Sequence, residues 1–153
     1  PTPYLGYPVS LPGTVQARDY DRGGEGVAYH DSTRGNTGGA HRADDVDLES
    51  TAGGGDNIGW IDAGEWLNYS VTVAAAGTYT IQLRVASPSG GGSMHVGFNR
   101  SGVWSEVPVP ATGGWQNWTT VSLTANLAAG PQLLTLLFDT AGFNVSRIMA
   151  AAA

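Results

Sequence analysis

The chain contains no cysteine, few charged residues and no long apolar segment. Without cysteine among its 153 residues, it can form neither a disulfide nor a thiolate metal site. No apolar run approaches the ~20 residues of a membrane-spanning helix, so we expect no membrane partner. Only 13% of the residues are charged, whereas helix-rich domains usually carry more Lys, Glu and Arg on their outer faces. These absences point away from a helical protein.

Basic charge is also scarce, with seven Lys and Arg residues against thirteen Asp and Glu residues and a net charge of −6. Such a balance offers no basic footprint for nucleic acid or for an anionic membrane. The length suits one domain over residues 1–153. The first residues, Pro-Thr-Pro, do not resemble a signal peptide and read as the start of a module cut from a longer chain.

Short segments in which apolar and polar residues alternate are the main structural signal. Residues 65–73 and 78–86 both alternate with a period of two, which predicts strands with one apolar face each. The intervening Ala-Ala-Gly at 75–77 reads as a tight turn, so we expect these two strands to form a hairpin. Further strands are predicted at 15–20, 27–29, 58–62, 94–98, 106–109, 118–123, 133–138 and 145–149.

Glycine is abundant, at 23 residues, and Gly-, Ser-, Pro- and Asn-rich clusters separate the predicted strands. Many short strands with no helical period indicate an all-β fold, a β-sandwich or jelly roll of two antiparallel sheets. The proline-rich residues 1–12 are expected to form an irregular lead-in strap. Residues 150–153 are expected to be a frayed end.

Five tryptophans are more than one small core can hold: Trp60, Trp66, Trp104, Trp115 and Trp118. Trp66 shares its strand face with polar residues and should project from the sheet. Trp115 follows two glycines in a flexible loop, and an exposed indole suggests a ligand. A flat indole covers the apolar C–H face of a sugar ring, while nearby Asn, Asp and Glu bond its hydroxyls. We expect Trp60 and Trp115 to bind ligand and Trp104 and Trp118 to be structural.

The sequence offers little for catalysis. A glycosidase needs two carboxyls flanking the bond, and Asp62 and Glu65, on either side of a predicted turn, are the best available pair. Acids beside a turn more often cap it or bond loop backbone, so we expect no catalytic residues. The three histidines have no metal-binding spacing, and no nucleophile-elbow or phosphate-loop motif is present.

The loop at 31–38 is rich in oxygen-bearing side chains and contains glycine. Asp31, Asn36 and backbone carbonyls there could surround a calcium ion, which prefers oxygen ligands. The alternative is a turn closed by the side chains' own hydrogen bonds. A bound calcium ion and a closed turn are therefore the two expectations for this loop.

Ordered motifs along nearly the whole chain resemble the family 6 carbohydrate-binding modules, a group close to family 35. The motifs are PGTVQA at 12–17, GVAYHD at 26–31, NIGWI at 57–61, GEWLNY at 64–69, AGTY at 76–79, RVAS at 84–87, TGGWQ at 112–116 and GFN at 142–144. Each is weak alone, but their number and order make chance resemblance very improbable.

The resemblance implies a β-sandwich with a binding cleft at the loop end. In that family two aromatics, at the positions of Trp60 and Trp115, hold a sugar between them, and the asparagine matching Asn144 bonds its hydroxyls. An acid near Asp47 often completes the cleft, and Asp45 or Glu49 are alternatives for it. Some members use a second cleft on the concave sheet face, around the tryptophan matching Trp66.

The resemblance also implies a structural calcium ion beside Gln16. The family usually supplies a glutamate two residues later, where this chain has Arg18. It also tends to supply an acid near the last strand, where this chain runs Arg-Ile-Met-Ala from Arg147. We therefore expect this calcium site to be weak or lost.

Taken together, the sequence predicts a non-catalytic, monomeric polysaccharide-binding module of a secreted glycoside hydrolase. Its ligand is expected to be a polysaccharide or oligosaccharide of the β-glycan class, with β-1,3-glucan favoured, and its partner a tethered catalytic domain. Two alternatives remain: a small glycosidase using Asp62 and Glu65, or a calcium-dependent adhesion domain.

Overall fold

The fold is a sandwich of two six-stranded sheets, and the computed structural model describes all of residues 1–153. The first sheet contains β1 (Val9–Leu11), β3 (Tyr29–His30), β6 (Trp66–Val73), β8 (Gly92–Phe98), β9 (Val103–Val109) and β11 (Gly130–Phe138). The second contains β2 (Gly13–Gln16), β4 (Leu48–Ser50), β5 (Asp56–Ile58), β7 (Gly77–Ala86), β10 (Trp118–Leu127) and β12 (Asn144–Ala152). The predicted all-β sandwich is confirmed.

The strand order of the first sheet is β1-β6-β11-β8-β9, with β3 also paired to β6. The order of the second is β10-β7-β12-β5-β4, with β2 also paired to β12. Neighbouring strands are antiparallel, except that β1 runs parallel to β6. The fold contains no helix with the length and apolar character needed to cross a membrane.

The core lies between the sheets and follows from the period-two alternation of their strands. Burial alternates residue by residue along β6, and most of β7 and β11 show the same pattern. The inward residues belong to one continuous apolar cluster of 32 buried side chains. Because alternate residues of a strand point to opposite faces, every inward residue leaves a neighbour on the outer face of its sheet.

The predicted hairpin between β6 and β7 is wrong, because the two strands belong to different sheets. β6 pairs with β1, β3 and β11, whereas β7 pairs with β10 and β12. The short link between them crosses the edge of the sandwich, where Ala74 N donates to the Leu11 carbonyl and the Tyr79 hydroxyl donates to the Ala75 carbonyl. An apolar face on each strand is compatible with two strands paired in one sheet and with two strands packed across the core from opposite sheets. The alternation alone therefore does not decide between these arrangements.

Other differences lie at the ends of elements. The lead-in strap contains β1, and β4 was not predicted at all. The strand predicted at 15–20 ends at Gln16, where a 3-10 turn, Ala17–Asp19, begins. The tail is not frayed, because β12 continues to Ala152 and pairs there with Tyr79.

The antiparallel register brings three loops together at one end of the second sheet. The end of β5 meets the start of β12, through the pairing of Ile58 with Val145. The start of β10 and the start of β12 both lie level with Ala86, the last residue of β7. Residues that follow β5, precede β10 or begin β12 are therefore neighbours in space.

We expect Leu83→Ala to destabilise the fold strongly, because Leu83 is fully buried on β7, between β10 and β12. Truncating a buried leucine leaves a cavity and costs about 2–5 kcal/mol of unfolding free energy. The neighbouring Gln82 points outward and is the matched control, for which substitution by Ala should cost less than ~0.5 kcal/mol. Urea unfolding of both variants measures the difference. Equal losses would contradict the inward placement of Leu83.

Candidate functional site

A pocket of about 230 Å³ opens at this loop end, lined by Glu49, Trp60, Trp115 and Asn144. The two tryptophans stay half exposed, at 50% for Trp60 and 51% for Trp115. Asn144 is buried, and Glu49 is partly buried. The structure therefore brings together three of the residues predicted for the cleft and adds Glu49, which was an alternative for the acid.

Trp60 is held in a backbone conformation that side chains rarely adopt. Its φ is +47°, in the left-handed region, which is unusual for a bulky residue. Such a conformation costs on the order of 1–3 kcal/mol and is found mostly at functional sites. Gly38 packs directly behind the indole, since a Cβ built on Gly38 would lie 2.9 Å from Cζ3 of Trp60. The surrounding loop thus fixes the direction of this side chain.

Trp115 lies on a loop whose backbone is joined by hydrogen bonds to neighbouring segments. Thr112 N donates to the Ser87 carbonyl at 2.8 Å, and Ser87 N donates to the Thr112 hydroxyl at 2.9 Å. The Trp115 carbonyl in turn accepts from Nδ2 of Asn144 at 2.9 Å. The indole is exposed, but the backbone beneath it is hydrogen-bonded to the Ser87 segment and to Asn144.

Two polar acceptors between the indoles have no protein donor. Asn144 uses its amide nitrogen to bind the Trp115 carbonyl, and its Oδ1 accepts no hydrogen bond from the protein. The Glu49 carboxylate makes no hydrogen bond or ion pair with any other residue. The pocket therefore combines two apolar walls with two acceptors that can take hydrogen bonds from hydroxyl groups.

Asp47 does not line the pocket, contrary to the prediction. Its side chain is buried at 2% exposure, and Oδ1 accepts from Thr37 N at 2.7 Å. Its carbonyl accepts from Gly59 N, next to Trp60. Asp47 therefore fixes the loop behind Trp60 instead of contacting a ligand. Asp45, the other alternative, accepts hydrogen bonds from the Tyr29 hydroxyl and from Gly35 N.

A second aromatic depression of about 270 Å³ lies on the outer face of the first sheet. It is lined by Trp66, Asn68, Trp104, Thr135 and Leu137. Trp66 projects from the sheet as predicted. The floor is polar at one point, where the Thr135 hydroxyl donates to Oδ1 of Asn68 at 2.6 Å.

Trp104 was expected to be structural, but it is 55% exposed and forms one wall of this depression. Its indole lies across Gly97, where a Cβ would come within 2.6 Å of Cε3. His95 stacks on the same indole with the ring centroids 5.0 Å apart, and Asp139 bonds Nδ1 of His95 at 2.8 Å. The sequence does not reveal this arrangement, because the residues come together only through the pairing of β8 with β9.

Asp62 and Glu65 close a turn. Oε1 of Glu65 accepts from Asp62 N, and Oε2 accepts from Ser32 N at 2.9 Å and from the Ser32 hydroxyl. Asp62 Oδ2 accepts from the same hydroxyl at 2.7 Å. The Glu65 carboxyl thus bonds the backbone of the turn, as the turn-capping alternative expected, whereas the Asp62 carboxyl bonds only the Ser32 hydroxyl. Neither lines the pocket between Trp60 and Trp115.

The loop expected to bind calcium is closed by its own hydrogen bonds. Asn36 donates to the carbonyls of Ala40 and Arg42, and its oxygen accepts from Gly39 N and Leu48 N. Its side chain therefore has no oxygen left for a metal ion. No group of three or more His, Asp or Glu side chains in the chain is arranged to hold a metal.

Asp31, the other predicted ligand in this loop, binds Thr33 through Oδ1. Burial, together with the carboxylates of Glu65 and Asp47, raises the pKa of Asp31 to about 7. Gln16 lies on β2, paired with Arg147, and no hydrogen bond joins it to Asp31 or Asn36. Gln16 belongs to the separate calcium site that the family resemblance implies, whereas Asp31 and Asn36 belong to the loop at 31–38.

The profile of the family described as "Carbohydrate binding module (family 6)" matches residues 39–149. A module from Cellvibrio mixtus lichenase 5A, solved in complex with cellotriose, is 33% identical, with a TM-score of 0.71 over 93% of this chain and 98% of that one. A β-1,3-glucan-binding family 6 module from Bacillus halodurans is 28% identical, with a TM-score of 0.70 over 95% of this chain and 100% of that one.

The chain is also 32% identical over 138 residues to the clotting factor G alpha subunit of Tachypleus tridentatus, covering 88% of this chain but 19% of that protein. The chain thus spans about a fifth or less of the length of the curated relatives it matches.

The two acids beside the pocket should respond differently to truncation. Asp47→Ala removes the acceptor of a loop hydrogen bond and should lower the unfolding free energy by about 1–2 kcal/mol. Glu49→Ala removes a side chain with no protein partner and should leave stability within ~0.5 kcal/mol of the wild type. Chemical denaturation of the two variants provides the test. A larger loss for Glu49→Ala than for Asp47→Ala would reverse the assignment.

Proposed function

Since the chain belongs to the family 6 carbohydrate-binding modules, we propose that it binds a polysaccharide or oligosaccharide in the pocket between Trp60 and Trp115. The observation that carries the proposal is the pairing of two half-exposed indoles with two free acceptors, Glu49 and Asn144. Exposed indoles are unfavourable in water unless a ligand covers them. Here the backbone on both sides of the pocket is fixed before any ligand arrives, which lowers the entropic cost of binding.

The chemistry of the pocket matches a pyranose ring. The axial C–H bonds of such a ring form an apolar face, which an indole can cover, while its equatorial hydroxyls lie around the edge. Glu49 and Asn144 can accept hydrogen bonds from hydroxyls at that edge, and a charged acceptor forms the stronger bond. The pocket disfavours a ligand without hydrogen-bond donors, because the two acceptors would then lose their water without a replacement.

The ligand is proposed to be a β-glycan, with β-1,3-glucan favoured. The support comes from the similar modules: one is described as β-1,3-glucan-binding, and another, from a lichenase, was solved with cellotriose. A series of β-1,3-gluco-, cello- and xylo-oligosaccharides titrated against the chain ranks the candidates. The proposal for β-1,3-glucan fails if the cello- or xylo-series binds more tightly.

We further propose that the module is non-catalytic and acts outside the cell, tethered to a glycoside hydrolase. Binding to the substrate would raise the effective concentration of the tethered enzyme on it. Both carboxyls are already engaged, Asp62 by the Ser32 hydroxyl and Glu65 by Ser32 and by Asp62 N, which supports a non-catalytic role. The association with a lichenase in a similar module supports the hydrolase as partner.

A second binding surface is proposed on the outer face of the first sheet, between Trp66 and Trp104. Two aromatic walls flank a floor that carries polar groups, as in the loop-end pocket. The floor acceptor Oδ1 of Asn68 is already engaged by Thr135, and no free carboxylate lies in the depression. We therefore expect this surface to bind more weakly than the loop-end pocket.

Trp115→Ala should reduce affinity for a soluble β-glucan oligosaccharide about thirtyfold. Truncation of a central aromatic typically costs ~2 kcal/mol or more, and each ~1.4 kcal/mol is tenfold in affinity. Wild-type affinity is expected in the micromolar to millimolar range, so the loss approaches the detection limit. Isothermal titration gives the affinity, and the melting temperature should stay nearly unchanged.

Trp115→Phe is the matched control, because it keeps an aromatic wall and should retain part of the affinity. A Trp115→Ala variant that folds normally and binds like the wild type would remove the loop-end pocket as the binding site.

Trp104→Ala and Trp66→Ala test the second surface. Each should leave the tighter binding event unchanged and abolish a weaker one, seen in the wild type as a second stoichiometric step or as added affinity for a long polysaccharide. Gln82→Ala, on the outer face of the other sheet and away from both aromatic sites, is a control that should alter neither event. Loss of the tighter event in Trp104→Ala or Trp66→Ala would transfer the main site to the sheet face.

A further inference from the structure

At the calcium site that the family resemblance implies beside Gln16, basic side chains contact the carboxylates in this chain. Nη1 of Arg18 bonds Oδ2 of Asp56 at 2.9 Å, and Nε of Arg18 lies 3.9 Å from Oδ1 of Asp19. His41 contacts the same two carboxylates, with Nε2 at 3.5 Å from Asp19 and Nδ1 at 3.9 Å from Asp56. Both carboxylates are largely buried, with side-chain exposures of 12% and 15%. The residues present therefore do not fit a divalent cation.

The misfit of these residues to a divalent cation is electrostatic. A calcium ion needs several anionic or carbonyl oxygens directed at one point. Here a guanidinium, which stays protonated at all accessible pH values, lies against the carboxylates that could serve. A divalent cation at this position would meet the repulsion of Arg18 and compete for acceptors that are already bonded.

A second arginine, Arg42, is surrounded by main-chain oxygens of the segment that contains Arg18. The guanidinium of Arg42 donates to three main-chain carbonyls, those of Arg18, Tyr20 and Asp21. It also pairs with Asp44 at 3.1 Å. The rings of Tyr4 and Tyr20 cover it at 4.1 and 3.5 Å, and only 5% of the side chain is exposed. Carbonyl and carboxylate oxygens are the ligands that calcium prefers. Here three such carbonyls and one carboxylate all accept hydrogen bonds from the Arg42 guanidinium.

We propose that Arg18 and Arg42 supply, in covalent form, the positive charge that a calcium ion would supply, so that this chain folds and forms its pocket without a divalent cation. Arg18 neutralises Asp56 at the start of β5, and Arg42 fixes the segment after β2 to the loop at 31–47. The cation requirement concerns the fold and is read from melting temperatures, whereas the oligosaccharide readouts rest on the proposed function.

The arginine anchor continues to the pocket through the loop. The Arg42 carbonyl accepts from Nδ2 of Asn36, whose Oδ1 accepts from Leu48 N, next to Glu49. Gly38, in the same loop, packs behind Trp60. Arg42 is thus a positioning residue for one wall of the pocket. Unlike a bound metal ion, it cannot be removed by a chelator.

The melting temperature of the wild-type chain, measured in EDTA and in millimolar calcium chloride, is the first test. We expect the two values to agree, and the affinity for a β-glucan oligosaccharide to agree as well. A ligand that binds only the native state raises its melting temperature, by roughly 5–10 °C at a concentration a hundredfold above the dissociation constant. A calcium-dependent rise in the wild type would overturn the proposal, whether or not the chain binds sugar.

Arg18→Glu tests the exchange of one cation for the other, because it places a carboxylate between Asp19 and Asp56 in place of the guanidinium. In EDTA this variant should melt below the wild type, owing to repulsion among the carboxylates, and calcium should restore the loss. Arg18→Met is the matched control, which removes the charge without adding an acid and should show no calcium response. If Arg18→Glu folds and ignores calcium, the position is not a cation site and the proposed exchange is wrong.

Arg42→Met tests the link to the pocket. It should lower the melting temperature in EDTA and in calcium alike, and weaken oligosaccharide binding through the displaced loop. Rescue by Arg42→Lys should be partial, because an ammonium cannot bond all four acceptors of the planar guanidinium. An Arg42→Met variant with wild-type stability would remove Arg42 from the proposal.

Discussion

The two-residue period of the strands is the constraint on which the rest of the molecule depends. It directs one set of side chains into a shared core and the alternate set onto the outer faces. On β6 the same rule that buries Leu67 and Tyr69 turns Trp66 outward, and on β11 the rule leaves Thr135 and Leu137 facing outward. With the core fixed by so many inward residues, a slip of one residue would reverse every face, so register is strongly specified. The loops that join these strands are then carried to fixed places at the sheet ends.

Rigidity at the loop end comes from polar contacts that the strands alone do not provide. Trp60 keeps a left-handed backbone conformation, which requires support from its surroundings. That support comes from Gly38 behind the indole and from the Asp47 carbonyl, which accepts from Gly59. The opposite wall depends on Asn144, which bonds the Trp115 carbonyl. A shape that is set in advance favours sugars, whose weak contacts leave little free energy to spend on ordering loops.

Sequence patterns predicted the fold class, the two indoles of the pocket and Asn144, because these depend on alternation, on composition and on motifs that a family shares. They failed where long-range pairing decides. The hairpin was predicted wrongly because alternation does not say which sheet a strand joins. Trp104 was taken as structural because its exposure depends on Gly97, which faces it across a strand pair.

The acid of the cleft was left among Asp45, Asp47 and Glu49 for a similar reason. A strand of three residues, β4, is too short for its period to be recognised in the sequence. Leu48 points into the core, and the neighbouring Glu49 therefore points away from it, towards the pocket. Asp47 lies just before the strand, where loop contacts rather than alternation set its direction.

The last strand has a practical consequence for handling the molecule on surfaces. β12 begins with Asn144 at the pocket and ends with Ala152, eight residues further along. At ~3.3 Å per residue, these two points are separated by roughly 26 Å. A fluorophore, a biotin or a solid support joined at that far end would leave the Trp60 and Trp115 walls unobstructed. Immobilised in this orientation, every copy would present its pocket towards the solution.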